Sequence, residues 1–128
     1  MNVTRWLVLL SFLFLAGCKP PEPTLQLRVF NNTSQDFYQV WVGVGGTQHK
    51  TEAFGPLAAG ETSDYHTIPS AYYGYGTVNV TLATMERLPT IVIPAPDQGG
   101  PQLEANGRYT LVYERHNGQW RVRFERDD

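Results

Sequence analysis

The chain is predicted to be all-β, an immunoglobulin-like antiparallel β-sandwich of about seven strands, with a small β-barrel as the alternative. Three observations carry this. From Leu25 onward, apolar and polar residues alternate with period two in one segment after another, the pattern of strands buried on one face. Gly, Pro and Asn-Gly pairs punctuate those segments at short intervals, as turns between strands require. No segment carries a convincing helical period, and there is no internal repeat.

The chain opens differently. Arg5 precedes the apolar run Trp6–Leu15, and Leu15-Ala16-Gly17-Cys18 follows. The run is too short to span a bilayer, which takes about 20 apolar residues, and its layout is that of a secretory signal. Small residues at Ala16 and Gly17 admit the backbone to a peptidase cleft, and the next residue is the single cysteine of the chain. This stretch resembles the lipobox of bacterial lipoproteins. The resemblance implies cleavage between Gly17 and Cys18, with a diacylglycerol on the Cys18 sulfur and, in many bacteria, a further acyl chain on its amino group. At about 0.8 kcal/mol per buried methylene, two or three chains anchor a protein durably. The implied location is the cell envelope, and Lys19 in place of an aspartate after the cysteine favours the outer membrane facing the periplasm.

Residues 18–24 then form the lipidated cysteine and a proline-rich tether, Lys19-Pro20-Pro21-Glu22-Pro23-Thr24. At ~3.1 Å per residue in an extended polyproline conformation, it holds the domain roughly 20 Å from the membrane. Residues 25–128 are the expected sandwich domain. Leu25, Leu27 and Val29 alternate with Gln26, Arg28 and Phe30 as a first strand, and Asn31–Asp36 is a polar turn. Phe37–Val44 is the most apolar segment; strict alternation puts Tyr38, Val40, Val42 and Val44 on one side and Phe37, Gln39 and Trp41 on the other. Two apolar faces suit a central strand. After Gly45-Gly46, Thr47–Phe54 reads as a more polar edge strand. Gly55–Glu61 is a corner in which Leu57 plugs the core and Gly60 supplies a left-handed backbone.

Thr62–Ile68 resumes the alternation, and Thr77–Leu82 follows with Val78, Val80 and Leu82 inward beside Tyr72. Ile91–Ile93 is a short strand between prolines, and Asp97–Pro101 is loop. Asn117-Gly118 is the preferred pair for a two-residue type I′ hairpin. Counting outward pairs Tyr113 with Val122, Leu111 with Phe124 and Arg115 with Trp120. Glu114 then faces Arg121 on the opposite side, an opposite-charge pair suited to solvent. Leu103, Gly107 and Tyr109 resemble a tyrosine corner, in which the hydroxyl bonds a nearby backbone group.

Removing residues 1–17 from the 128 leaves 111, enough for one modest core. The mature chain then carries nine basic and twelve acidic residues, a formal charge near −3, because Arg5 leaves with the signal. Nothing in that balance favours nucleic acid. With Cys18 given to lipid, no thiol remains for a disulfide, a nucleophile or a metal site.

The domain is similar to small, uncharacterised bacterial lipoproteins. The residues carrying that resemblance are Phe54-Gly55, Leu57, Gly60-Glu61-Thr62-Ser63, Tyr65, Ala71-Tyr72, Leu103 and Gly107-Arg108-Tyr109-Thr110. They are turn and core residues, so the resemblance implies a fold and no reaction.

Candidate chemistry is sparse. Asp64 and His66, two apart on a strand, share a face and could act as metal ligands or as a base with its orienting carboxylate in an envelope enzyme. Neither a third ligand nor a Gly-x-Ser-x-Gly motif accompanies them, so a solvated strand face is preferred and no cofactor is expected. Arg115, Arg121, Arg123 and Arg126 concentrate at the C-terminal hairpin, interleaved with Glu114, Glu125, Asp127 and Asp128. Mixed signs cancel within a Debye length of about 10 Å. Tyr73 and Tyr75, thrown opposite Val78 and Val80 by strand parity, together with Trp41, offer flat amphipathic rings suited to a protein or glycan partner. The expectation is a non-catalytic binding or assembly module, held at the membrane through Cys18.

Overall fold

The computed structural model describes residues 23–44, 50–69 and 76–128. Within them lie β1 (Thr24–Asn32), β2 (Phe37–Val44), β3 (Lys50–Ala53), β4 (His66–Pro69), β5 (Gly76–Leu82), β6 (Ile91–Ile93), β7 (Arg108–His116) and β8 (Gln119–Arg126), with one 3₁₀ turn at Pro96–Gln98. The strands form two four-stranded sheets, ordered β4-β1-β7-β8 and β3-β2-β5-β6. The molecule is therefore a β-sandwich, and the barrel alternative is set aside because each sheet ends in two unpaired edges. All pairings are antiparallel except that of β1 with β7, which brings together strands from near the two ends of the domain.

The alternation in the sequence becomes the core. Along β1, Leu25, Leu27 and Val29 are buried while their neighbours are half-buried. The same period puts Val40 and Val42 of β2, Val78, Val80 and Leu82 of β5, and Tyr109, Leu111 and Tyr113 of β7 into one cluster between the sheets. β2 is central and the polar β3 is an edge, as their compositions required. Leu57 seals one end: its N–H donates to Phe37 O at 3.0 Å and its carbonyl accepts from Phe37 N–H at 2.8 Å. Gly60 has φ of +80°, where a side chain would be strained.

Three expectations change. Phe37 pairs with Leu82 and Gln39 with Thr81, so Tyr38 is the extra residue of a β-bulge. A bulge resets parity, and Phe37 becomes core at 2% exposure while Tyr38 turns outward at 54%. The strand expected over Thr62–Ile68 is in fact only β4, with a lone bridge from Thr62 to Phe30 before it. Ser63 interrupts the ladder because its hydroxyl, rather than a backbone carbonyl, accepts from Val29 N–H at 2.9 Å. Glu114, assigned to solvent, is 7% exposed. Of the strand expected over Thr47–Phe54, the described part is β3; Gly45-Gly46 and Thr47 lie outside the described residues, as does Tyr72.

The C-terminal hairpin forms with the register counted from its turn: Tyr113 opposite Val122, Leu111 opposite Phe124, Glu114 opposite Arg121, Arg115 opposite Trp120. Asn117 and Gly118 have φ of +51° and +78°, the positive values a type I′ turn needs. The tyrosine corner is present: Tyr109 Oη accepts from Glu104 N–H at 2.8 Å. Gly107 makes room for it, since a Cβ there would stand 2.6 Å from the Tyr109 ring.

Candidate functional site

The outer face of the β3-β2-β5-β6 sheet holds a groove of about 330 Å³ lined by Trp41, Asn79, Thr81, Arg87 and Thr90, with Val80 and Leu88 beneath. Cross-strand register builds it. Trp41 of β2 stands between Ala53 on β3 and Asn79 on β5, and Thr90 closes the row by donating its hydroxyl to Asn79 Oδ1 at 2.5 Å. One row along, Thr81 bridges to Arg87 in the segment leading to β6. Trp41 is half-buried, and Ala53 and Gly43, on the same face, are too short to cover its ring. Tyr38, Met85 and Val92 are the large apolar side chains left exposed among the described residues; the bulge turns Tyr38 to this same outer face.

The groove retains unused polar capacity. Among the described residues the Trp41 indole N–H, the Asn79 side-chain NH₂ and the Arg87 guanidinium have no hydrogen-bond or ion-pair partner in the protein. No carboxylate lines the groove. A second cleft of about 320 Å³ lies where β6 and β8 end their sheets, lined by Ile91, Ile93, Trp120, Val122 and Phe124 with Arg121 and Arg123 beside them.

Along the C-terminal hairpin several charged groups are taken up in pairs. Glu114 accepts from Arg121 Nε at 2.6 Å and Arg123 Nε at 3.1 Å. Burial pushes its carboxyl up, but the hydrogen bonds and charges of the two guanidiniums outweigh that and hold it below its ordinary range. Arg123 also pairs with Glu125, and Arg126 pairs with Glu104 at 2.8 Å. Arg115 lies 4.9 Å over the Trp120 ring. Tyr65 packs between Arg28 and Arg108, at 4.7 and 4.3 Å, and donates its hydroxyl to Asp127 at 2.8 Å. Arg121, Arg123 and Arg126 are thus salt-bridged as their interleaved acids implied, whereas Arg115 packs on Trp120 instead.

Asp64 and His66 are not brought together as a pair. Asp64 precedes β4 and is exposed, so the two-residue period does not apply to it. His66 Nδ1 contacts Glu52 Oε1 on β3 of the other sheet at 2.7 Å, and its ring stacks on Phe54 at 4.3 Å. Among the described residues no group of three or more His, Cys, Asp or Glu side chains is arranged to hold a metal ion, and no helix is long and apolar enough to cross a membrane. Gly17, Cys18, Tyr73 and Tyr75 lie outside the described residues.

Trp41 is therefore the sequence-selected site residue with a described surrounding. Asn79, Arg87 and Thr90 were missed because single polar residues in a strand and its following loop carry no motif; only pairing across β2 and β5 makes them neighbours of Trp41. No family model matches the chain, and no curated relative matches it. Among solved structures it is similar to the NMR structure of a protein from Eubacterium rectale, at 16% identity and TM-score 0.51 over 83% of this chain and 92% of that one. At that identity the likeness speaks for the sandwich fold alone.

Proposed function

We infer that this protein is a lipid-anchored, non-catalytic binding module of the bacterial cell envelope, similar in plan to small lipoproteins, facing the periplasm from the outer membrane. The observation that carries the reading is the succession in one chain of Arg5, an apolar run, Leu15-Ala16-Gly17-Cys18, a proline-rich tether and a single sandwich domain. A tether of this kind presents a domain to partners near a membrane. Supporting the binding role is the Trp41 groove, where an aromatic ring meets unspent donors.

The enzyme reading, built on Asp64 and His66, loses support from the contact of His66 with Glu52. Full-length chain produced in a Gram-negative host with labelled palmitate tests the anchor. The wild type should incorporate label and sediment with membranes. Cys18→Ser should lose the label and accumulate as uncleaved precursor, with the domain still folded because the core of the described residues begins at Leu25. Normal processing of the mutant would overturn the anchor.

A further inference from the structure

We propose that the Trp41 groove binds an acidic glycan, a sugar chain bearing carboxylate substituents, with Trp41 as the stacking platform, Asn79 and Thr90 as hydroxyl partners and Arg87 as the carboxylate partner. The inference deepens the binding-module reading and rests on it for biological setting, although the chemistry of the site stands on its own geometry.

Four features select this ligand class. First, the groove opens on the sheet face, running from the central strands β2 and β5 to the segment that leads into the edge strand β6, and side chains line it. An added strand would lie in the plane of the sheet along its edge and would not cover the Trp41 face. Second, its apolar surface is chiefly a single half-buried ring rather than a deep pocket, which suits the flat C–H face of a pyranose and not an acyl chain or a large apolar side chain. Third, the polar groups around that ring are short. The Thr90 hydroxyl orients the Asn79 amide so that its NH₂ remains to donate, and the indole N–H of Trp41 is also unspent. Fixed short donors beside a platform match the paired hydroxyls of a sugar, which both donate and accept.

Fourth, the charge is one-sided. Arg87 is exposed and without a partner among the described residues, and no acid lines the groove, although the whole chain has a formal net charge of −2. The arginines of the β8 face, by contrast, stand beside carboxylates that they already bind. A free guanidinium recognises a carboxylate through two parallel hydrogen bonds. A neutral sugar would leave that capacity idle.

Purified full-length chain in detergent, titrated calorimetrically with three oligosaccharides, tests this. Amidase-stripped peptidoglycan strands carry free lactyl carboxylates on an N-acetylated backbone. Chitohexaose has the same linkage without carboxylates, and hexagalacturonate is acidic but foreign to the bacterial envelope. Both acidic chains should bind at least about tenfold more tightly than chitohexaose, as one charge-assisted pair provides. Arg87→Gln should remove that preference, bringing the acidic chains down to the range of chitohexaose. Trp41→Ala should weaken all three by about tenfold or more. Equal affinities of wild type and Arg87→Gln for the acidic chains, or tighter binding of chitohexaose, would overturn the assignment; Arg87 is exposed, so that variant folds and decides the matter even if Trp41→Ala does not. Binding of both acidic chains by a protein that fails the palmitate test would remove the envelope anchor and keep the glycan site. Lipidation without binding would do the reverse.

Discussion

Tyr113 carries the one side-chain polar atom among the described residues that is buried without a hydrogen-bond partner, its hydroxyl. Its ring is well placed, edge-on to Phe37 at 5.3 Å and beside Trp120 at 5.8 Å. Phenylalanine keeps those contacts and removes an unsatisfied group, so Tyr113→Phe should stabilise the domain by about 1 kcal/mol and raise Tm by several degrees. Burial also pushes the Tyr113 phenol from 10.0 up to about 12. A group whose folded value is raised keeps its contribution below the unfolded value and loses it above. Wild-type stability should therefore fall as pH rises from about 10 to about 12, and Tyr113→Phe should flatten that fall in urea melts. Met85 presents a second residue-scale conflict: it has φ of +70° in the tight turn after β5. Met85→Gly relieves strain of about 1 kcal/mol, and a melting curve of that variant should shift upward.

At the scale of elements, the C-terminal hairpin and the tyrosine corner organise the sheet to which β1 belongs. The hairpin follows from local chemistry, because Asn-Gly accepts the positive φ values that a type I′ turn imposes. The corner ties the approach to β7 back onto the strand through Tyr109 Oη and Glu104 N–H. Tyr109→Phe should cost about 1 kcal/mol in chemical denaturation, the net worth of one such bond. Gly107→Ala should cost more, since its new Cβ would displace the same ring. A reversed order would show that the approach of ring to backbone matters less than the hydrogen bond. Glu114 belongs at this scale too: its pairs with Arg121 and Arg123 join β7 to β8, and Asn32 reaches it from β1 at 3.4 Å.

For the whole molecule, sheet-to-sheet packing carries the stability, with the His66–Glu52 contact as a polar link between β4 and β3 across one side. Phe37 stands at the centre of that packing, edge-on to Tyr113 of the opposite sheet and bonded through its backbone to Leu57. Phe37→Ala should cost about 3–5 kcal/mol, a large share of the 5–15 kcal/mol typical of a domain, and circular dichroism should show it melting far below the wild type or unfolded. The fold class, the inward residues of β1, β5 and β7, and the whole register of the β7–β8 hairpin were legible in the sequence, because alternation and turn chemistry are local properties of neighbouring residues. Tertiary structure alone decided the rest. The bulge at Tyr38 depends on how β2 closes against β5 and moves Phe37 into the core. The burial of Glu114 depends on two arginines and a neighbouring strand. The turning of His66 toward Glu52 rather than Asp64, and the meeting of Trp41 with Asn79, Arg87 and Thr90, depend on pairings between segments remote in sequence. Such pairings are selected by the packing of the assembled sandwich, and no period within one segment records them.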